Sequence, residues 1–341
     1  MEPVQLKFSA KTVDCYFDAS FSQLENLVSK QNAIIITDDN IASLYKEKFN
    51  DWKAIVIKAG EENKQQHTVD GIITELIKLH ADRDSIIIGI GGGVITDIAG
   101  YAACVYMRGI KFGFIPTSIL AMVDASVGGK NGVDVGIYKN LVGVIKHPEF
   151  LLYDYSFLKT LPDEEWINGF AEIIKHACIK DAAMFTMLMD NSIESFKNSQ
   201  EKTADLIKRN VLLKYNIVAG DEFEKGERKH LNFGQTLGHA VENSYQLPHG
   251  SAISVGMMAA CAISEKLNNF SLSEKDKLRT LLQQYHLPVD LQFDKEKVWQ
   301  VLLMDKKKSG TNMNFILLDS IGKAIIKAIP IDELHELFNN L

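Results

Sequence analysis

Along the first half of the chain, short apolar runs alternate with segments of helical period. Residues 4–8 and 12–17 predict strands, 21–30 a helix, 33–37 (AIIIT) a buried strand, 40–48 a helix and 54–58 another strand. Residues 65–80 carry Val69, Ile72, Ile73, Leu76, Ile77 and Leu79, close to a helical stripe, and residues 85–90 follow as the next strand. This alternation predicts an α/β fold: a mostly parallel sheet with helices on both faces. After about residue 158 the pattern changes. Pro162 with Asp163 and Glu164 marks a helix start, and long helical patterns then run to the end. They are broken by polar stretches at 191–200, 248–251 and 288–293, and by a strand-like pair at 314–318 and 324–328. The pattern therefore divides the chain into an α/β domain, 1–158, and a mainly helical domain, 159–341, with the boundary in 155–161. No internal repeat or low-complexity tract interrupts it.

Length agrees with two domains: 341 residues against roughly 100–200 per domain. The formal net charge of −7 disfavours a general nucleic-acid binder, which presents a basic face, but leaves room for a locally basic pocket that takes an acidic small molecule. Cys15, Cys104, Cys178 and Cys261 are far apart, with no CxxC pair, so reduced thiols in a cytoplasm are expected. The start, MEPVQLKFSA, lacks a basic region followed by an apolar run and does not read as a secretory signal. Residues 85–107 hold a single charge, Asp97, but three consecutive glycines and a β-branched run make them strand, turn and buried helix, not a membrane span.

Chemistry concentrates in four places. In IIIGIGGGVITDIAG (86–100) a strand runs into Gly91-Gly92-Gly93 and a helix opens near Val94. Glycines permit close backbone approach, and a helix N-terminus offers N–H groups and partial positive charge, which suits a pyrophosphate. The spacing is not GxGxxG, so a glycine turn between packed elements is the bland alternative. Residues 115–140 look like a long loop holding Thr117, Ser118, Asp124, Lys130, Lys139 and Asn140; lysines beside glycines suit an anion, and a solvated loop is the alternative. In the helix over 169–180, Glu172, Lys175 and His176 share a face; the Glu and His can ligate a metal at that spacing, but a surface ion pair is commoner. Residues 227–254 hold Arg228, His230, Asn232, Gln235, His239, Glu242 and His249, dense enough in ligating groups to converge on one divalent ion. Met257 and Met258 read as core.

At these residues the chain resembles the 3-dehydroquinate synthase family. The resemblance runs through AGEENK (59–64), GGGVITD (91–97), YMRG (106–109), PTSILAMVDASVGGK (116–130), YKNLVG (138–143), GFAEIIKH (169–176), LNFGQTLGHAVE (231–242), HGSAISVGM (249–257) and DKK (305–307), in order and over nearly the whole chain. It implies an NAD-binding α/β domain, a helical metal- and substrate-binding domain, and an active site in the cleft between them. It further implies catalytic NAD and a divalent metal, zinc with cobalt as an alternative, in a cytoplasmic lyase of the shikimate pathway that works as a homodimer, with no nucleic-acid or membrane partner. The substrate would be a phosphorylated keto acid, 3-deoxy-D-arabino-heptulosonate 7-phosphate. Its C5 hydroxyl is oxidised, phosphate is eliminated, C5 is reduced again, and ring opening with an aldol step gives 3-dehydroquinate. The substrate's own phosphate can serve as base in the elimination.

The resemblance also assigns roles. Phosphate contacts fall to Lys130, Asn140, Asn232, His239 and a lysine of the DKK run, Lys306 first, with Arg108 donated by a neighbouring subunit. The carboxylate falls to Arg228 with Lys214, and the ring hydroxyls to Asp124, Lys175 and Lys214. NAD falls to Glu61, Lys64, Gly93, Val94, Asp97, Thr117, Ser118, Lys130 and Lys139, and the metal to Glu172, Gln235 and His249. Three residues depart from the family's pattern: Gln235 stands at a usual histidine, Thr96 at a usual glycine, and Asp134 at a frequent asparagine. Glutamine can ligate through its amide oxygen but is neutral and uncommon on zinc. Thr96 raises the question of how closely the backbone meets NAD, and Asp134 adds negative charge near an anion site. A related sugar-phosphate cyclase, a polyol dehydrogenase of the glycerol dehydrogenase type and a non-catalytic NAD- or metabolite-binding homologue stand as alternatives.

Overall fold

The apolar runs of the first half become the centre of a seven-stranded sheet. The computed structural model describes residues 2–136, 138–290, 293–306 and 311–341, without the side chains of 304–306. Its strands are β1 (Val4–Lys7), β2 (Thr12–Tyr16), β3 (Ala33–Asp38), β4 (Lys53–Ile57), β5 (Ile86–Gly91), β6 (Lys111–Pro116), β7 (Lys130–Val135), β8 (Tyr138–Ile145), β9 (Phe150–Leu152), β10 (Asn312–Ser320) and β11 (Lys323–Pro330). The large sheet has the order β1-β2-β9-β6-β5-β3-β4. Only β1–β2 pair antiparallel; the others run parallel. In β3 and β5 every residue is buried, as expected of parallel strands covered on both faces.

Register decides what meets at the strand ends. Gly91 of β5 lies beside Pro116 of β6. The glycine turn and the Thr117-Ser118 pair therefore leave the sheet side by side, at the carboxyl ends of adjacent parallel strands, where open α/β sheets bind ligands. A Cβ on Gly91 would come within 2.5 Å of the Ile95 side chain, so this position admits no side chain where the helix folds back on its strand.

The chain packs as two units, Met1–Pro162 with Ala204–Glu222, and Asp163–Thr203 with Phe223–Leu341. The sequence pattern cuts at 158 and leaves 204–222 with the second half. Their long-range bonds go to the first unit: Lys7 donates its N–H to the Tyr215 hydroxyl (3.1 Å), and Lys214 reaches Asp124. Helical periodicity cannot reveal such a return. In the second unit, helices Asp163–Lys180, Gln235–Tyr245 and His249–Asn268 pack together beside the antiparallel hairpin β10–β11. Met257 and Met258 are buried there, as expected.

Several local expectations need correction. Residues 115–140 are not a loop. They hold the end of β6, a wide helical turn at Ala121–Ala125, strand β7 and the start of β8, and Asn131 and Asp134 are buried. Glycine at 132 and 143 hides the hairpin from composition; it is there because the two strands meet so closely that a Cβ on Gly132 would lie 2.5 Å from the Val142 carbonyl oxygen. The helix expected over 21–30 is a short 3-10 turn, Phe21–Asn26, capped at its start by a Ser20–Gln23 capping box. The helix expected over 40–48 is two, Asp39–Leu44 and Lys46–Phe49, broken at Tyr45. The polar break at 191–200 contains a helix, Ile193–Lys197. Among the described residues no helix is long and apolar enough to cross a membrane, and the four cysteines are free.

Candidate active site

In the first unit the helix Gly93–Val105 begins at Gly92 with no side-chain cap on its first N–H groups. A Cβ on Gly92 would find only the Ser118 hydroxyl, at 3.5 Å, so the turn presents bare backbone N–H groups and partial positive charge. The donor arrangement fits the pyrophosphate of a dinucleotide. Val94 lies in the first turn of this helix, Thr117 donates its N–H to the Gly91 carbonyl (2.9 Å), and the Ser118 hydroxyl accepts from the Ala121 N–H (3.2 Å). Thr96 does not crowd the turn. Its side chain is fully buried, and its hydroxyl donates back to the Gly93 carbonyl at 2.9 Å.

Beside the turn lies a polar network. Lys64 pairs with Asp97 (2.5 Å) and donates to the Asn140 side-chain oxygen (2.6 Å), while Lys139 pairs with Glu61 (3.3 Å). Burial disfavours the Lys64 charge, but the Asp97 and Glu61 carboxylates outweigh it and hold the ammonium above its ordinary pKa. Asp134 is not loose negative charge: its carboxylate accepts the Asn140 N–H (2.6 Å), and its own N–H donates to the Lys64 carbonyl (2.8 Å). It thereby braces Asn140, which has φ 53°, a left-handed conformation uncommon outside glycine. Lys214 pairs with the Asp124 carboxylate (2.8 Å) and donates to its carbonyl (2.6 Å), joining two residues assigned to the ring hydroxyls. Lys130 opens β7 and is exposed. Arg108 is exposed at the end of a tight turn in which Met107 (φ 49°) and Arg108 (φ 67°) are both left-handed. Two such residues in succession store backbone strain, a feature that clusters at functional sites.

In the second unit the metal candidates come together for identifiable reasons. A Cβ on Gly250 would lie 2.7 Å from the Asn168 Cα, and the Gly250 N–H donates to the Asn168 side chain (3.0 Å). This close approach brings the first residue of one helix, His249, against Glu172 of another. Gly234 (φ 77°) starts the helix Gln235–Tyr245, and a Cβ on Gly256 would fall 1.9 Å from the Gly234 carbonyl oxygen. That contact presses the helix bearing Gln235, His239 and Glu242 onto the helix that His249 begins.

Glu172 is 0% exposed and Lys175 1%, and the two form an ion pair. The sequence favours a surface pair; the pair is real but lies in the interior, because the whole middle of the helix is covered. His249 Nε2 lies 3.0 Å from Glu172 Oε1, and its Nδ1 lies 3.4 Å from Glu242 Oε2. Burial disfavours the charged imidazole, yet the two carboxylate contacts push its pKa up to about 9. His239, Glu242 and His249 each bring a ligand atom within 4.8 Å of the others. Two imidazoles and buried carboxylates form a nitrogen–oxygen donor set that fits zinc or a similar divalent ion. Gln235 stands one turn ahead of His239 on the same helix.

Arg228 is buried at 1% exposure in the turn Glu227–Asn232, and the Asn232 side chain donates to Glu224 (2.6 Å). The side chain of Lys306, with residues 307 and 308, lies outside the described residues. Sequence reasoning gives no place to Glu224, and it counts Glu242 among the ligating groups of 227–254 without assigning it to the metal set of Glu172, Gln235 and His249. For Glu242 a signal existed: it sits three residues after His239 and seven after Gln235, on one helical face.

Comparison with known proteins agrees across both halves. Residues 54–168 match the family model "3-dehydroquinate synthase N-terminal", and residues 169–308 match "3-dehydroquinate synthase C-terminal". The 3-dehydroquinate synthase of Campylobacter concisus is 37% identical over 334 residues, 95% of each chain. That of Pyrococcus abyssi is 38% identical over 331 residues, covering 94% of this chain and 97% of the relative. Among solved structures, 2-deoxy-scyllo-inosose synthase complexed with carbaglucose-6-phosphate, NAD+ and Co2+ superposes with a TM-score of 0.86 at 25% identity, over 99% of both chains. The 2-epi-5-epi-valiolone synthase of Streptomyces hygroscopicus with NAD+ and Zn2+ bound gives 0.88 at 25% identity, over 98% of both. A probable glycerol dehydrogenase from Sinorhizobium meliloti shares the fold alone (TM-score 0.68, 13% identity, 96% of both). With both family models matched in sequence and full-length relatives well above 30% identity, the chain belongs to the 3-dehydroquinate synthase family.

Proposed function

We propose that the chain converts 3-deoxy-D-arabino-heptulosonate 7-phosphate to 3-dehydroquinate and phosphate, as a lyase of the shikimate pathway in the cytoplasm. Among chemistries that this fold hosts, the observation that selects this one is Arg228. Arg228 is held at 1% exposure, and a guanidinium is the side chain whose planar fork can pair with a substrate carboxylate bidentately. A polyol dehydrogenase has no carboxylate for it to meet.

The first unit serves as the NAD-binding domain and the second as the metal- and substrate-binding domain. When bound, NAD would supply reversible hydride transfer, and a divalent ion, zinc or cobalt, would supply Lewis acidity that favours the alkoxide form of the hydroxyl being oxidised. The chain's residues bind and orient. The Gly92-Gly93 turn and Val94 hold the pyrophosphate, with Thr117, Ser118 and the Lys64–Asp97 and Lys139–Glu61 pairs beside it. Glu172 and His249 hold the cation, with the Gln235 amide oxygen as the weak third ligand. Asp124, Lys175 and Lys214 orient the ring hydroxyls. Lys130, Asn140, Asn232, His239 and Lys306 bind the phosphate.

A homodimer completes the phosphate site with Arg108 of a second copy. Two features support it. The strained turn exposes Met107 and Arg108, and β8, which among the described residues pairs with β7 alone, exposes Leu141, Val142 and Ile145. Apolar edge strands on soluble proteins are normally covered.

The test is incubation of the purified protein with the heptulosonate phosphate, NAD and zinc or cobalt. Phosphate and dehydroquinate should appear in equal amounts. Absence of turnover with every divalent metal would leave a binding protein instead.

A further inference from the structure

The two carboxylates that meet His249 do so on opposite edges of its ring. Glu172 Oε1 is 3.0 Å from Nε2, and Glu242 Oε2 is 3.4 Å from Nδ1. A cation can take only one of these nitrogens, and each choice gives Glu242 a different job. On the Nε2 side the ion would share His249 with Glu172, which is fully buried and carries the Lys175 ammonium on its other oxygen. On the Nδ1 side it would be held by Glu242 and His239.

We propose that Glu242 is a positioning residue: it accepts the Nδ1–H of His249 and thereby fixes the tautomer and angle at which Nε2 faces the cation beside Glu172. This rests on the reading that Glu172 and His249 are metal ligands. Three observations support it. The Nε2 contact is the shorter of the two. Glu242 is 4% exposed, too far inside the unit to be a solvated surface charge. Its helix is locked to that of His249 by the Gly234–Gly256 contact, so the carboxylate is held where the ring must lie. A ligating histidine commonly donates its second N–H to a carboxylate, which raises its basicity and fixes its orientation.

The arrangement has a particular use in this chain. Gln235 offers the cation a neutral amide oxygen, so the site leans more heavily on His249. A ring made more basic by Glu242 offsets part of that loss, while His239 stays available for the substrate's phosphate.

The experiment measures metal affinity directly, by competition with a chromophoric chelator and by the visible spectrum of the cobalt-loaded protein, for wild type, Glu172→Gln, Glu242→Gln and Glu242→Leu. Loss of an orienting partner costs about 10–100-fold in affinity. Glu242→Leu should fall in that range, Glu242→Gln, which keeps an accepting oxygen, between it and wild type, and Glu172→Gln below all. The cobalt spectrum of Glu242→Gln should keep the wild-type ligand count with shifted bands. Circular dichroism of the metal-free variants checks that the helices are intact. Wild-type affinity in both Glu242 variants would overturn the proposal, as would a Glu242→Gln that binds more weakly than Glu172→Gln, since Glu242 would then be a direct ligand. A wild-type protein that takes up no cation would instead sink the metal reading, and this inference with it.

Discussion

Thr96 offers the sharpest test of how the NAD turn is built. A side chain where the family usually has glycine suggests a backbone held away from the dinucleotide, but the hydroxyl donates to the Gly93 carbonyl and the whole side chain is buried. Thr96→Gly should therefore damage the fold and leave the ligand alone. The lost methyl contributes about 0.8 kcal/mol of burial. The lost hydrogen bond contributes about 1 kcal/mol net. Glycine in place of threonine inside a helix costs a few tenths of a kcal/mol more, so the total is roughly 2 kcal/mol. Urea unfolding of wild type and Thr96→Gly without ligand measures the loss, and fluorescence titration with NAD measures affinity in native buffer. We expect the midpoint to fall and the affinity to hold. A variant that binds NAD about tenfold tighter, a gain of about 1.4 kcal/mol, would show instead that Thr96 keeps the backbone off the pyrophosphate.

Three further outcomes are expected. Arg228→Lys should reduce kcat/KM for the heptulosonate phosphate by about 10-fold or more, because a charged hydrogen bond contributes roughly 1.5–3 kcal/mol and lysine cannot reproduce the bidentate fork; NAD titration should be unchanged, and a parallel loss there would remove Arg228 from the carboxylate. Arg108→Ala and Lys130→Ala subunits, each inactive alone, should regain part of the activity when mixed, as one intact site forms per mixed dimer; no recovery despite measured subunit exchange would place Arg108 elsewhere. Gln235→His should retain more metal per subunit than wild type after equal dialysis against a chelator, and wild-type turnover should rise visibly with added metal; equal retention would mean that Gln235 does not weaken the site.

The parallel core was legible because β3 and β5 carry short, β-branched apolar runs, AIII and IIIGI, of strand length and bounded by polar or glycine-rich turns, as strands buried on both faces do. The β7–β8 hairpin was not, because the glycines that let its strands meet are also those of a loop. Burial of the Glu172–Lys175 pair was equally hidden, since helical spacing places both on one face without saying what covers that face. The motif blocks named the residues, but the partners did not follow from them. Glu242 behind His249, Asp134 under Asn140 and Asp124 on Lys214 are set by close backbone approaches and by the return of residues 204–222. Such contacts depend on tertiary packing that no local period records.

Return of the hydride to the carbon it left is the step on which the proposed lyase activity turns. It is tested most directly by following absorbance of NADH and release of phosphate in one cuvette, with NAD substoichiometric to the heptulosonate phosphate. Many phosphates should be released per NAD present, with no net growth of NADH. One NADH formed per substrate consumed, with turnover stopping when NAD runs out, would contradict it and make the protein a dehydrogenase.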